Sequence, residues 1–221
     1  MRRIAISQRV VQNQGYPEPR DALAQDWAEW LASIDPQAAL LAVPNRPDGV
    51  DIWWAAAAPD ALILSGGNDW GSAPDRDETE RRLIDLACCE RRPILAVCRG
   101  LQALNVCRGG ALVTDIAALA PETHVAHDHV VKLDSSAVGK LAGTGTVTVN
   151  SFHNQGVVTS GIADGFHAFA TAEGGIVEGM IHDRDPILAV QWHPERPNPA
   201  ATFDAAFTRL LFAKGAFWAS P

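Results

Sequence analysis

Cys98, His193 and Glu195 are the residues of this 221-residue chain whose types and settings could do covalent chemistry. Cys98 follows the run Pro93-Ile94-Leu95-Ala96-Val97 and precedes Arg99-Gly100, after which Leu101, Leu104 and Val106 recur at helical spacing. That pattern predicts a buried parallel strand, a corner at the cysteine and then a helix, with Gly100 allowing the tight turn. The helix N-terminus would face the thiol. Its dipole and a nearby histidine would lower the thiol pKa and produce a thiolate nucleophile. The same strand-corner-helix arrangement presents the nucleophile of serine hydrolases. A lone cysteine at a strand end is more often a packed structural residue, and what shifts that balance lies elsewhere in the chain. His193 and Glu195 follow a second buried run, Pro186 to Trp192, and could supply a base and the group that fixes its tautomer. Gly66-Gly67, ending a third apolar run, and the amide of Arg99 offer backbone donors for an oxyanion.

The elements that must position these groups alternate between strand and helix. Strands are expected at Arg3–Ser7, Ala39–Val43, Asp60–Ser65, Pro93–Val97 and Pro186–Trp192. Helices are expected at Ala22–Ser33 with Asp21 as N-cap, at Val50–Ala58, at Arg76–Arg91, after Cys98, and at about Ala200–Lys214. Gln8 to Arg20, broken by Gly15, Pro17 and Pro19, reads as a polar loop. Val130–Leu133 and Thr146–Val149 read as antiparallel strands at the edge, and His167–Ala172 and Ile176–Ile181 as a further strand pair. The fold class is therefore α/β: a doubly wound, mostly parallel sheet flanked by helices, with an antiparallel edge, as one domain over residues 1–221. Ligands of such sheets sit beyond the carboxyl ends of the strands, where Gly66-Gly67, Cys98 and His193 all fall.

Composition narrows the partners. A net charge of −8 argues against nucleic acid, and no apolar run approaches the length needed to span a bilayer. The four cysteines, Cys88, Cys89, Cys98 and Cys107, follow neither disulfide-framework nor zinc-finger spacing, which suits a reducing, cytoplasmic setting. His124, His127 and His129 lack a matching cysteine or carboxylate, so no metal is expected there; one of them is expected to line the cleft. The tryptophans Trp27, Trp30, Trp53 and Trp54 read as core, and the charges from Glu78 to Arg92 as a solvated helix face.

The motif Cys98-Arg99-Gly100-Leu101-Gln102, closed by His193-Pro194-Glu195, resembles the class I glutamine amidotransferase domain over nearly the whole chain. This is a flavodoxin-like fold. Arg99, with Arg76-Asp77, Gly109-Gly110 and Asn150-Ser151-Phe152-His153, resembles its γ-glutamyl hydrolase branch, peptidase family C26. The resemblance implies hydrolysis of a γ-glutamyl amide through a thioester, without metal or organic cofactor. It implies Cys98 as nucleophile, His193 as base, Glu195 as orienter, and the Gly67 and Arg99 amides as oxyanion hole. Gln102, Ser151 and His153 would hold the glutamyl end. Ile6 to Arg9, Tyr16, Glu18, Arg20 and Gly66-Gly67-Asn68-Asp69 look more like the γ-glutamyl-CDP-amidate hydrolases of capsular phosphoramidate synthesis than like γ-glutamyl-GABA hydrolases. Under that likeness Asn68 joins the substrate contacts, and Arg9 and Arg20 would pair with a diphosphate; as surface ion pairs, both arginines would need no ligand. Two rival readings remain. One is a glutaminase subunit feeding ammonia to a synthase partner; the other is a binding protein with a redox-reactive cysteine. A homodimer is compatible with each.

Overall fold

The computed structural model describes residues 1–117, 119 and 126–219. Its elements run β1 (Arg3–Ile6), β2 (Arg9–Gln12), β3 (Pro19–Ala22), α1 (Asp26–Ile34), β4 (Ala39–Ala42), α2 (Val50–Ala57), β5 (Ala61–Leu64) and α3 (Pro74–Cys89). They continue with β6 (Ile94–Val97), α4 (Arg99–Cys107), β7 (His129–Leu133), β8 (Thr146–Val149), β9 (Phe166–Thr171), β10 (Val177–His182), β11 (Ile187–Val190) and α5 (Ala201–Lys214). One nine-stranded sheet has the order β4-β1-β5-β6-β11-β10-β9-β7-β8. The strands from β4 to β11 in that order are parallel, and every pairing from β11 to β8 is antiparallel. Among the described residues no helix is long and apolar enough to cross a membrane.

Alternation along the strands explains the two layers. Ile63, Leu95, Val97, Leu188 and Val190 point to one side, where Trp27 and Leu31 of α1 and Phe203, Phe207 and Leu211 of α5 meet them. Leu62, Leu64, Ile94, Ala96 and Ala189 point to the other, against Trp54 of α2, Leu83 and Ile84 of α3, and Leu101 and Leu104 of α4. Strands covered on both faces need apolar residues at every position, which is why β5, β6 and β11 read as unbroken runs. The sheet is doubly wound, as expected.

Three expectations change. Residues 8–20 are not simply a loop: β2 and β3 form a hairpin paired from Arg9↔Ala22 to Gln12↔Pro19. The hairpin covers little of the core, so it carries no apolar alternation to betray it. Asp21 caps no helix; it sits in β3 and accepts from Asn45, whose Nδ2 lies 2.7 Å away. Helix α1 therefore starts later, at Asp26, with no side-chain cap. Finally, Glu80 is not part of a solvated face but is fully buried.

Candidate active site

Strand β6 lies between β5 and β11, so the chain leaving each of the three strands at its carboxyl end arrives in one place. Gly66-Gly67 follows β5, Cys98 follows β6, and His193 follows β11. Cys98 sits at φ 54°, ψ −111°, a strained conformation for a residue with a Cβ. Its own N–H still bonds to Val190, 2.8 Å away, so the strand is held up to the corner. Gly100 does not owe its place to a turn conformation. A Cβ there would stand 2.3 Å from the Leu64 carbonyl oxygen, so glycine is what lets α4 lie directly on β5.

His193 is fixed from two sides. Its Nδ1 lies 2.7 Å from Glu195 Oε1, and both side chains are buried. Its backbone is clasped by Asn150, which accepts from His193 N at 2.9 Å and donates to His193 O at 2.9 Å. The imidazole packs against Gly66, where a Cβ would come within 2.8 Å of Cε1, and it makes a T-shaped contact with Phe152, the ring centroids 5.6 Å apart.

The electrostatics favour an ion pair. Burial pushes the Cys98 thiol up, but the charge and hydrogen bond of His193, assisted by His153, outweigh it and bring the thiol below its ordinary range. Burial pulls His193 down, yet Cys98 and Glu195 together raise it to about 9. Thiolate and imidazolium thus stabilise each other, with the carboxylate holding the Nδ1 proton. Gly67 N–H makes no backbone hydrogen bond among the described residues, and Arg99 N–H is the first of its helix.

The remaining site residues fall into different roles. Arg9 stands against Gly67, its Nε 2.5 Å from where a Cβ would be, and shares a small cleft with Trp27, Gly66, His193 and Arg196. Arg20 is not in that cleft; it pairs with Glu18 and reaches Tyr16 Oη at 3.2 Å on the hairpin. The Asn68 amide accepts from Val10 N at 2.8 Å and donates to Val10 O at 2.9 Å, so it joins loop to hairpin. Gln102 donates to Gln155 O at 2.9 Å, tying α4 to the loop that follows Ser151. Ser151 and His153 are buried. His153 Nδ1 lies 3.0 Å from Gln155 O and its Nε2 3.5 Å from Glu178 Oε1, so both ring nitrogens face acceptors, and Glu178 raises its pKa against the pull of burial. The Arg99 side chain turns away from the thiol to Asp77 and Glu80.

Among the polar residues given no site role from sequence are Asn150, the clasp, Glu178, Glu80 and Arg196, whose guanidinium stacks over Phe152 at 4.4 Å. Glu178 offered a signal, a carboxylate inside an otherwise apolar strand; Arg196 offered none. His129 turns inward, 3.4 Å from Glu178, while His127 is exposed and His124 lies outside the described residues.

The chain has relatives among known proteins. The Peptidase C26 family model matches residues 8–195. The chain belongs to that family. Relatives include the gamma-glutamyl-CDP-amidate hydrolase of Campylobacter jejuni, 26% identical over 88% of this chain and 90% of that one. The gamma-glutamyl-gamma-aminobutyrate hydrolase of Escherichia coli is 30% identical over 68% of this chain, which spans 63% of the relative's length. A solved Thermoplasma acidophilum structure, of one subunit of a GMP synthase by its description, superposes with TM-score 0.70 at 21% identity over 96% of this chain and 94% of that one. The family is hydrolytic, and the fold is that of the class I glutamine amidotransferases.

Proposed function

We propose that this chain, acting as one domain, hydrolyses a γ-glutamyl amide with Cys98 as nucleophile. The thiolate attacks the γ-carbonyl carbon, and the amides of Gly67 and Arg99 receive the oxyanion. The His193 imidazolium protonates the leaving nitrogen as the C–N bond breaks, leaving a γ-glutamyl thioester. His193, now neutral, takes a proton from water; the hydroxide attacks the thioester, and glutamate and the Cys98 thiolate are released. Glu195 holds the imidazole in one tautomer throughout. Gln102, Ser151 and His153 line the glutamyl end. The observation that carries the reading is the buried Cys98–His193–Glu195 chain, with His193 Nδ1 2.7 Å from Glu195, at adjoining parallel strand ends.

The leaving group proposed is cytidine diphosphoramidate, as in capsule phosphoramidate synthesis. The match to the Campylobacter enzyme over 88% of this chain supports it, as does Arg9 beside Gly67. Among the described residues no carboxylate is within ion-pair distance of Arg9, whereas Arg20 already has Glu18. Arg9 is therefore the arginine assigned to the diphosphate, and Arg20 is left to the hairpin. A γ-glutamyl-GABA substrate is the second reading, supported by the Escherichia coli relative at 30% identity.

The test is glutamate release by purified protein alone from γ-glutamyl-CDP-amidate, γ-glutamyl-GABA and glutamine, with Cys98→Ser as the blank. Rapid release from the nucleotide conjugate, with glutamine poor, is expected. Release from none of the three would overturn the hydrolase and favour a glutaminase that needs a synthase partner.

A further inference from the structure

Arg76 is fully buried, and it does not line the small cleft of Arg9 and His193. Its guanidinium donates to three successive carbonyls: Ser65 at 2.8 Å, Gly66 at 3.1 Å and Gly67 at 2.9 Å. The same fork reaches Asn68 Oδ1 at 3.1 Å and Glu80 at 3.0 Å, so each of its three nitrogens is engaged. The loop it grips is the one after β5, in which Gly67 and Asn68 both take positive φ, 91° and 40°. No peptide in the described chain is cis. In a trans peptide the carbonyl and the following N–H point in opposite directions. Anchoring the Gly66 carbonyl on Arg76 therefore aims the Gly67 N–H the other way.

We propose that Arg76 is a positioning residue for the oxyanion hole, acting on its two donors through one buried charge network. On one side the guanidinium orients the Gly66–Gly67 peptide and polarises it, since a cation on a carbonyl oxygen strengthens the N–H of the same amide as a donor. On the other side Arg76 shares Glu80 with Arg99, the residue whose N–H is the second donor. Asp77 completes the network by pairing with Arg99 and accepting from Gly71 N at 2.8 Å. Two arginines and two carboxylates balance, which is what permits four charges in a closed interior. Trp70 covers the Arg99 end at 5.2 Å. Burial lowers Arg76 to about 10, and burial together with Arg76 lowers Arg99 to about 9, so both remain cationic at neutral pH. Only a planar fork can serve three carbonyls and a carboxylate at once; a lysine in this place keeps the charge and loses the geometry.

This inference rests on the acyl-transfer reading, and the experiment separates the two. Arg76→Lys and Arg76→Gln are compared with wild type for kcat, KM, iodoacetamide capture of Cys98, and affinity for a γ-glutamyl aldehyde, which gives a thiohemiacetal oxyanion on the thiol. The expected result is a kcat lower by about 10²-fold or more, with KM and Cys98 alkylation each within about threefold of wild type. Aldehyde affinity should fall by the same factor as kcat/KM. Unchanged aldehyde affinity, or alkylation slowed in step with kcat, would overturn the clamp while leaving the hydrolase reading intact. A wild type that neither cleaves a γ-glutamyl amide nor binds the aldehyde would overturn both. Should neither variant fold, the wild-type aldehyde adduct decides. Its oxygen is expected about 2.7–3.1 Å from the N atoms of Gly67 and Arg99, with Gly66 still on Arg76; an oxygen held by other donors refutes the proposal.

Discussion

Helix α3 carries two charged faces built from the same residue types at the same spacing. Arg76 and Glu80 stand four apart and are both fully buried, joined to Arg99 and Asp77. Glu78 and Arg82 also stand four apart, with Arg81 and Asp85 beside them, but their side chains are 35–51% exposed. Arg81 and Arg82 draw the Glu78 carboxyl down to about 2, Arg81 by its hydrogen bond first of all, yet water and salt screen such pairs so that they stabilise by at most about 1 kcal/mol. The inward pair has no water to fall back on. Removing one partner strands a charge, and the cost is set by desolvation rather than by the strength of the bond. What distinguishes the faces is what lies opposite them: solvent in one case, the carbonyls of the loop after β5 in the other.

That contrast can be broken or sharpened by substitution. Glu80→Ala should cost about 3–5 kcal/mol, read from the urea midpoint, because Arg76 and Arg99 lose their shared carboxylate. A loss below about 1 kcal/mol would make the buried face equivalent to the exposed one. Glu195→Gln, in the second buried pair, should lower kcat about 100-fold, equal to about 2.7 kcal/mol of barrier. It should also move the alkaline limb of the pH profile. His193 is raised to about 9 by Cys98 and Glu195, so the imidazolium is lost as pH rises through that value, and without the carboxylate the loss comes at lower pH. An alkaline limb that stays put would show that Glu195 does not govern the ring. Glu78→Ala should change stability by less than about 0.5 kcal/mol, with that small difference shrinking further in high salt.

The same contrast explains what could be read from the chain. Strands β5, β6 and β11 are apolar at every position because parallel strands are covered on both sides, so the strand ends and the groups they carry were legible. The hairpin at β2–β3 was not, since it buries too little to impose a two-residue period. Glu80 and Glu78 differ by a little over half a helical turn, and charge spacing alone cannot say which of them meets a loop that arrives from another strand. Gly100 was legible as a required glycine, but the reason, the Leu64 carbonyl against its Cα, belongs to packing between distant segments. Arg9 and Arg20 looked alike in sequence; the hairpin separates them, with Arg9 beside Gly67 and Arg20 on Glu18.

The most direct test of the central claim is to trap the acyl-enzyme. Protein mixed with γ-glutamyl-CDP-amidate is quenched in acid within the first turnovers, digested and examined by mass spectrometry. The account predicts a γ-glutamyl group on the peptide containing Cys98, absent in Cys98→Ser and accumulating relative to free glutamate at early times. Glutamate released at full rate with Cys98 unmodified, or with Cys98→Ser still active, would contradict it.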